Sequence, residues 1–242
     1  MRLCHRLSYK STENRFLILP LLVRFPSNTA SSTRLLSTHL PYQMLGDSLN
    51  SSDCRVVYVA RNPKDTVVSL WHFENLISLE DREPRPLEDV VPKFCAGTVI
   101  YGPYYEHVLG YHTESLERPE KFFFVAYEEL KSDPKTHVKR LAEFLGCPFE
   151  GGDDMDEQVE EVVRSCSVEN LKKQEVNNST DVPSWGMMPY KSYFRKGQVG
   201  DHANHLTKDM IDRIDAITKV KFHGVNLALG RKLNFSIDIV AS

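Results

Sequence analysis

Cys54-Arg55-Val56-Val57-Tyr58-Val59-Ala60-Arg61-Asn62-Pro63-Lys64-Asp65 changes character halfway along. Its first half is a short β-branched run, which reads as a buried strand. Arg61-Asn62-Pro63 halts the strand, and over 64–77 the apolar residues Val67, Val68, Trp71 and Leu76 return at helical spacing. Outward from this strand–helix unit the alternation repeats. Phe122-Phe123-Phe124-Val125-Ala126-Tyr127 is strand-like and leads to Asp133-Pro134, a cap followed by a first-turn proline. The helix over 135–145 then ends at Gly146, placed as a C′ residue. Helical spacing also covers 87–95, 104–116, 155–165 and 208–222. Such alternation defines an α/β class, a parallel sheet flanked by helices, with ligands expected at the carboxyl ends of the strands.

Composition narrows the function. The 242 residues are 41% hydrophobic and 26% charged, which suits a globular protein and excludes disorder and low-complexity arrays. At this length one α/β domain, alone or with an appendage, is expected. A net charge of −3 offers no excess of positive charge that would point to nucleic acid. Five cysteines without a C-x-x-C pair argue against a disulfide scaffold or structural zinc and suit a reducing, cytoplasmic setting. The longest apolar run, 16–23, is broken by Pro20 and falls short of the ~20 residues of a spanning helix, so no membrane partner is expected. Residues 1–34 hold Arg2, Arg6, Arg15, Arg24 and Arg34 against Glu13 alone, and end Ser/Thr-rich. They read as an organelle transit peptide, a frayed amphipathic terminus or a misjoined start, with the domain proper over 35–242. The acidic run 150–161 reads as a solvated helix face, without the oxygen spacing of a calcium loop.

Two places are suited to anions. At the strand–helix junction, Arg61 ends a strand and Ser69 follows a little over two helical turns along, so both can reach one phosphate. In Phe194-Arg195-Lys196-Gly197-Gln198-Val199-Gly200-Asp201, two cations precede spaced glycines that let backbone N–H groups approach an oxyanion. Taken singly, each also reads as an ordinary surface arginine or a flexible basic loop. A third constellation is Ser37-Thr38-His39-Leu40-Pro41, which sets His39 where a strand gives way to a loop. An imidazole there can act as a general base near neutral pH. His72, His107, His112, His202 and His205 show no ligand-like grouping with acids or thiols, and no metal is expected.

In order along the chain, the motifs are T-H-L-P, V-V-Y-V-A-R-N-P-K-D-T-V-V-S, F-V-A-Y-E-E-L-K-x-D-P and F-R-K-G-x-V-G-D-x-x-N-H-L-T. Together they resemble the cytosolic sulfotransferases, most closely the plant soluble branch, from about Leu36 to about Phe222. The resemblance implies a P-loop-NTPase-like fold and transfer of a sulfuryl group from 3′-phosphoadenosine 5′-phosphosulfate to a hydroxyl of a small hydrophobic acceptor of flavonoid, phenolic or steroid type. It implies that His39 is the catalytic base. Arg61 and Ser69 would hold the nucleotide's 3′-phosphate, Arg195, Lys196 and Gly197 would form its second clamp, and Tyr127 would lie beside the adenine. Cys166, Ser167 and Val168 match a segment that packs near the nucleotide. Tyr101, Phe73, Tyr104 and Tyr105 are acceptor-pocket aromatics or plain core. A monomer or homodimer is implied, with the small-molecule acceptor as partner.

The resemblance also exposes departures. Family members open with a strand, a loop reading roughly Y-P-K-S-G-T-T-W that holds the 5′-phosphate, and a helix. Here Tyr9-Lys10-Ser11-Thr12 is a faint echo and no glycine occurs before Gly46, so the first strand and phosphate loop are expected to be missing. The strand at 54–60 would then have an apolar, unpaired neighbour position. Where the family has G-D-W-K-N, this chain has Gly200-Asp201-His202-Ala203-Asn204, a change expected to loosen the loop over the nucleotide. The alternative function is a catalytically impaired relative that only binds the 3′-phosphoadenosine nucleotide. A kinase or ATPase is disfavoured, because G-x-x-x-x-G-K-[ST] occurs nowhere in the chain.

Overall fold

A computed structural model of the chain describes residues 22–25, 35–77, 83–182, 188–225 and 227. Most of the basic, Ser-rich stretch read above as a transit peptide lies outside the described residues. Strand β1 (Leu22–Phe25) pairs antiparallel with β2 (Leu35–Thr38), Leu22 opposite Thr38. After helix α1 (Tyr42–Asn50), β3 (Val56–Ala60) pairs in parallel with β4 (Phe122–Ala126), from Val56 opposite Phe122 to Ala60 opposite Ala126. The crossover between these two strands is helical: α2 (Pro63–Ile77), α3 (Leu87–Cys95) and α4 (Tyr104–Glu117). Beyond β4 come α5 (Tyr127–Ser132), α6 (Pro134–Phe144), α7 (Met155–Ser165), α8 (Val168–Lys173) and α9 (Lys208–Lys221).

Local chemistry sets these boundaries. Asp133 caps α6 by accepting from the Thr136 N–H at 3.2 Å, and Pro134 occupies a first-turn position where no N–H is needed. Gly146 ends the same helix at φ +72°, the left-handed C′ conformation that glycine adopts without a Cβ penalty. The acidic face of α7 turns toward α6, where Lys139 meets Asp156 at 2.7 Å and Lys135 pairs with Glu160. Both pairs are well exposed and add little stability.

Two apolar clusters hold the helices in place. Val67 and Val68 of α2 pack with Val90, Val91 and Phe94 of α3 and Ile214 of α9. Ala60 and Ala126, at the carboxyl ends of the two parallel strands, pack with Tyr105 and Val108 of α4 and with Phe222. Burying each such valine or larger side chain contributes roughly 1.5–3 kcal/mol. The aromatic ladder continues across the sheet, with Tyr58 stacked on Tyr111 (4.4 Å) and Phe124 (5.4 Å).

The outer side of β3 is different. Val56 donates to the Lys121 carbonyl at 2.8 Å, so alternate residues 56, 58 and 60 bond toward β4. The backbone groups of Val57 and Val59 therefore face the other edge, and among the described residues no strand pairs there. Their side chains are 38% and 51% exposed. The apolar, unpaired neighbour position expected from the sequence is thus visible in the structure.

Candidate functional site

Both cation-bearing segments meet at the carboxyl end of β3. Arg61 leaves the strand and donates from Nη2 to the Gln198 carbonyl at 2.9 Å, linking segments 137 positions apart. Its guanidinium lies 5.0 Å from the centroid of the Tyr127 ring, which opens α5 directly after β4. Arg61 Nε is buried without a hydrogen-bond partner among the described residues, as is Glu128 Oε2. The other Glu128 oxygen accepts from the Asn62 N–H at 2.9 Å, and burial pushes this carboxyl above its usual range.

The second segment is held by carboxylates. Asp201, almost fully buried, receives Arg195 Nη1 at 2.5 Å and Lys196 Nζ at 2.6 Å. Burial alone would raise the Asp201 pKa; hydrogen bonds from Lys196, Asn204 and Arg195 reverse this and hold it well below the usual value. The Lys172 ammonium of α8 caps the Arg195 carbonyl at 2.8 Å. Gly197 stands at φ +63°, and a Cβ there would lie 2.3 Å from Val168 Cγ2. Val168 opens α8, whose cap Ser167 accepts from the Asn170 N–H. Of the 166–168 segment singled out in the sequence, Val168 therefore packs on the basic turn.

Asp65 joins the two halves. This carboxylate, 1% exposed in the first turn of α2, accepts from the Gly200 N–H at 2.7 Å and from the His202 N–H at 2.9 Å. His202 Nδ1 adds a contact at 2.8 Å, and a carboxylate only accepts, so Nδ1 is the donor. Arg61 Nη2 lies 3.8 Å away. Burial would raise the Asp65 pKa, but the His202 and Gly200 hydrogen bonds, with Arg61, bring it down to about 2. Residues 65, 69 and 72 lie along one face of α2. Asp65 receives Gly200 and His202, while His72 packs on His205 with ring centroids 5.1 Å apart and feels the Arg195 charge. Ser69 lies between them on that face.

His39 follows directly on β2, as its sequence setting predicts. Its ring stacks on Tyr101 at 4.5 Å and 27°. Tyr101 is the described non-glycine residue with a positive φ, +62°, a strained conformation that the surrounding contacts must hold. The His39 carbonyl accepts from His107 Nε2 at 3.1 Å, leaving His107 Nδ1 to accept from the Tyr58 hydroxyl at 3.0 Å. Loss of hydration, with His107 adding, lowers the His39 pKa, so the ring is a neutral base at neutral pH. The segment carrying Tyr101 also reaches Arg61: Tyr104 donates its hydroxyl hydrogen to the Arg61 carbonyl. Tyr105 is core, its hydroxyl on Thr218 at 3.0 Å. Sequence reading gave no role to Asp65, Asp201, His107 or Lys172.

A family model described as a sulfotransferase domain matches residues 12–226. The chain belongs to the sulfotransferase family, and its parallel strands with flanking helices are that family's fold. It is 41% identical over 208 residues to cytosolic sulfotransferase 10 of Arabidopsis thaliana, covering 86% of this chain and 62% of that protein. It is 44% identical over 200 residues to a flavonol sulfotransferase-like protein of Flaveria bidentis, covering 83% and 64%. A crystal structure of mouse sulfotransferase SULT7A1 complexed with PAP is similar at a TM-score of 0.64 and 28% identity, over 78% of this chain and 65% of that one. The chain thus spans a little under two thirds of the length of these curated relatives. Among the described residues no helix is long and apolar enough to cross a membrane, and no group of three or more metal-ligating side chains comes together.

Proposed function

We propose that this chain binds 3′-phosphoadenosine 5′-phosphosulfate and transfers its sulfuryl group to a hydroxyl of a small hydrophobic acceptor of flavonoid, phenolic or steroid type. The observation that carries this reading is the Arg61–Gln198 hydrogen bond, because it brings two separately encoded cationic segments to one strand end. Arg61, Ser69, Arg195 and Lys196 would hold the 3′-phosphate, and Tyr127 would lie beside the adenine. The fit is supported by the orphaned, buried Arg61 Nε and by Gly197, whose backbone approaches where no side chain could. The relatives' description as cytosolic supports a cytoplasmic setting.

In the transfer step, a His39 ring nitrogen takes the proton of the acceptor hydroxyl while its oxygen bonds to sulfur. The bond from sulfur to the 5′-phosphate oxygen breaks, and the bisphosphate leaves with the electron pair. Such a loose transfer depends on positioning and charge stabilisation more than on covalent help. A second reading, nucleotide binding without turnover, is favoured by one observation. The sequence holds no Lys-Ser-Gly-Thr loop for the 5′-phosphate.

Thermal stabilisation by 3′-phosphoadenosine 5′-phosphate, with adenosine 5′-phosphate as control, tests the reading. At a hundredfold excess over its dissociation constant the bisphosphate adds about 2.7 kcal/mol. The expected result is a raised midpoint with the bisphosphate that disappears in Arg195→Ala. No shift with either nucleotide would overturn the assignment. A shift without acceptor sulfation would select the second reading.

A further inference from the structure

We propose that Asp65 is a positioning residue of the nucleotide clamp, fixing the Arg195-Lys196-Gly197 turn opposite Arg61 through Gly200 and His202. The inference rests on the function proposed above and adds a residue that contacts no ligand in that reading. Three features carry it. Asp65 is a buried carboxylate in the first turn of α2, four residues beyond Arg61 at the junction of β3 and that helix. Its two oxygens are taken up by the Gly200 N–H, the His202 N–H and His202 Nδ1, all at or below 2.9 Å. Gly200, at φ +86°, turns the chain immediately before Asp201, the residue that gathers Arg195 and Lys196.

Two carboxylates thus act in series. Asp201 fixes the cationic head groups relative to their own turn, and Asp65 fixes that turn relative to α2 and Arg61. Charge-assisted bonds of this kind, inside a site removed from water, are stronger and more directional than bonds between neutral groups. Without Asp65 the turn keeps the Arg61 bond to Gln198 and the Lys172 cap on Arg195, so it stays nearby without a fixed register. The His202 side chain adds to the two backbone bonds of the latch. It stands where the related motif carries tryptophan, and its imidazole supplies the third bond to Asp65. The substitution expected from the sequence to loosen the loop therefore brings its own anchor.

The test combines amide hydrogen exchange with calorimetric titration of 3′-phosphoadenosine 5′-phosphate, on the full chain and on Asp65→Ala, Asp65→Asn and His202→Phe. In Asp65→Ala, protection at Gly200 and His202 falls at least tenfold more than protection in the core helices, and the bisphosphate dissociation constant rises ten- to a hundredfold. Asp65→Asn, which keeps one acceptor oxygen, falls between Asp65→Ala and the parent. His202→Phe, at a position only 21% exposed, keeps both backbone bonds and weakens binding less than tenfold. Unchanged exchange at Gly200 and His202 in Asp65→Ala overturns the proposal. So does exchange that rises by the same factor at Gly200 and His202 as in the core helices, since the carboxylate would then support only the fold and not the clamp. If the parent chain does not bind the bisphosphate, the proposed function fails, while the exchange arm still reads the latch.

Discussion

Gly197 lies against Val168 so closely that a Cβ at position 197 would stand 2.3 Å from Val168 Cγ2. At φ +63° its backbone also sits where side chains are strained. Gly197→Ala therefore combines overpacking with backbone strain, together about 2–4 kcal/mol if the turn held its place. The turn yields first, because it is a surface segment. The expected outcome is a lost thermal shift with 3′-phosphoadenosine 5′-phosphate and a melting midpoint lowered by only a few degrees. Val168→Ala in the same chain should restore part of the shift, and the double-mutant cycle measures that coupling.

The Asp65 carboxylate predicts an acid limb of stability. Its native pKa is about 2 against a usual 3.8. A depressed carboxylate stabilises the fold above its unfolded value and loses that contribution as pH falls through the native one. With a fully buried side chain, the gap is worth about 2 kcal/mol, lost between roughly pH 4 and pH 2. Urea midpoints measured across that window should fall steeply in the parent and more gently in Asp65→Asn. Glu128 has the opposite sign, since burial raises its pKa and acidification relieves its penalty. Glu128→Gln should therefore raise stability at neutral pH and steepen the net acid limb. An acid limb in Asp65→Asn as steep as the parent's would refute this assignment.

His39 is predicted to titrate below the usual imidazole value of 6.5, because its ring is partly desolvated and faces His107. The neutral base therefore persists below neutrality, and sulfation rates rise with pH through that lowered value and then level off. Nuclear magnetic resonance of the His39 ring protons reads the pKa without any need for turnover. Tyr101→Ala uncovers one face of the ring and should move the midpoint upward, toward 6.5. His39→Ala should cut any sulfation by about 10²–10⁴-fold while leaving nucleotide binding intact. A midpoint unmoved by Tyr101→Ala would show that the stack does not control the base.

What the sequence discloses depends on the range of the contacts involved. Helices at Leu87–Cys95 and Met155–Ser165 have the bounds their spacing predicts, and Gly146 is a C′ residue as expected, because caps and periodicity are local. His39 at a strand end and the meeting of Arg61 with the 195–200 turn were legible through motif order. Asp65, Asp201 and the His107–Tyr58 pair were not. A carboxylate in a first helical turn looks the same in sequence whether it faces water or receives a backbone turn 135 positions away. Likewise Tyr104 and Tyr105 sit side by side in sequence but anchor different groups, the Arg61 carbonyl and Thr218.

The open edge of β3 gives the last prediction. Val57 and Val59 direct their backbone groups away from β4 and expose apolar side chains along an edge that no described residue pairs. An edge of that kind templates pairing with other chains, and native proteins blunt such edges with charge. Val59→Lys places an ammonium at a half-exposed position and breaks the apolar run. Because little packing is lost there, the unfolding free energy should change by no more than the roughly 0.5 kcal/mol typical of surface positions. Self-association should fall sharply. Light scattering of the parent and variant at matched concentration and temperature checks this directly. A large loss of stability in Val59→Lys would mean that the side chain is covered in solution, and equal scattering would mean that association proceeds through another surface.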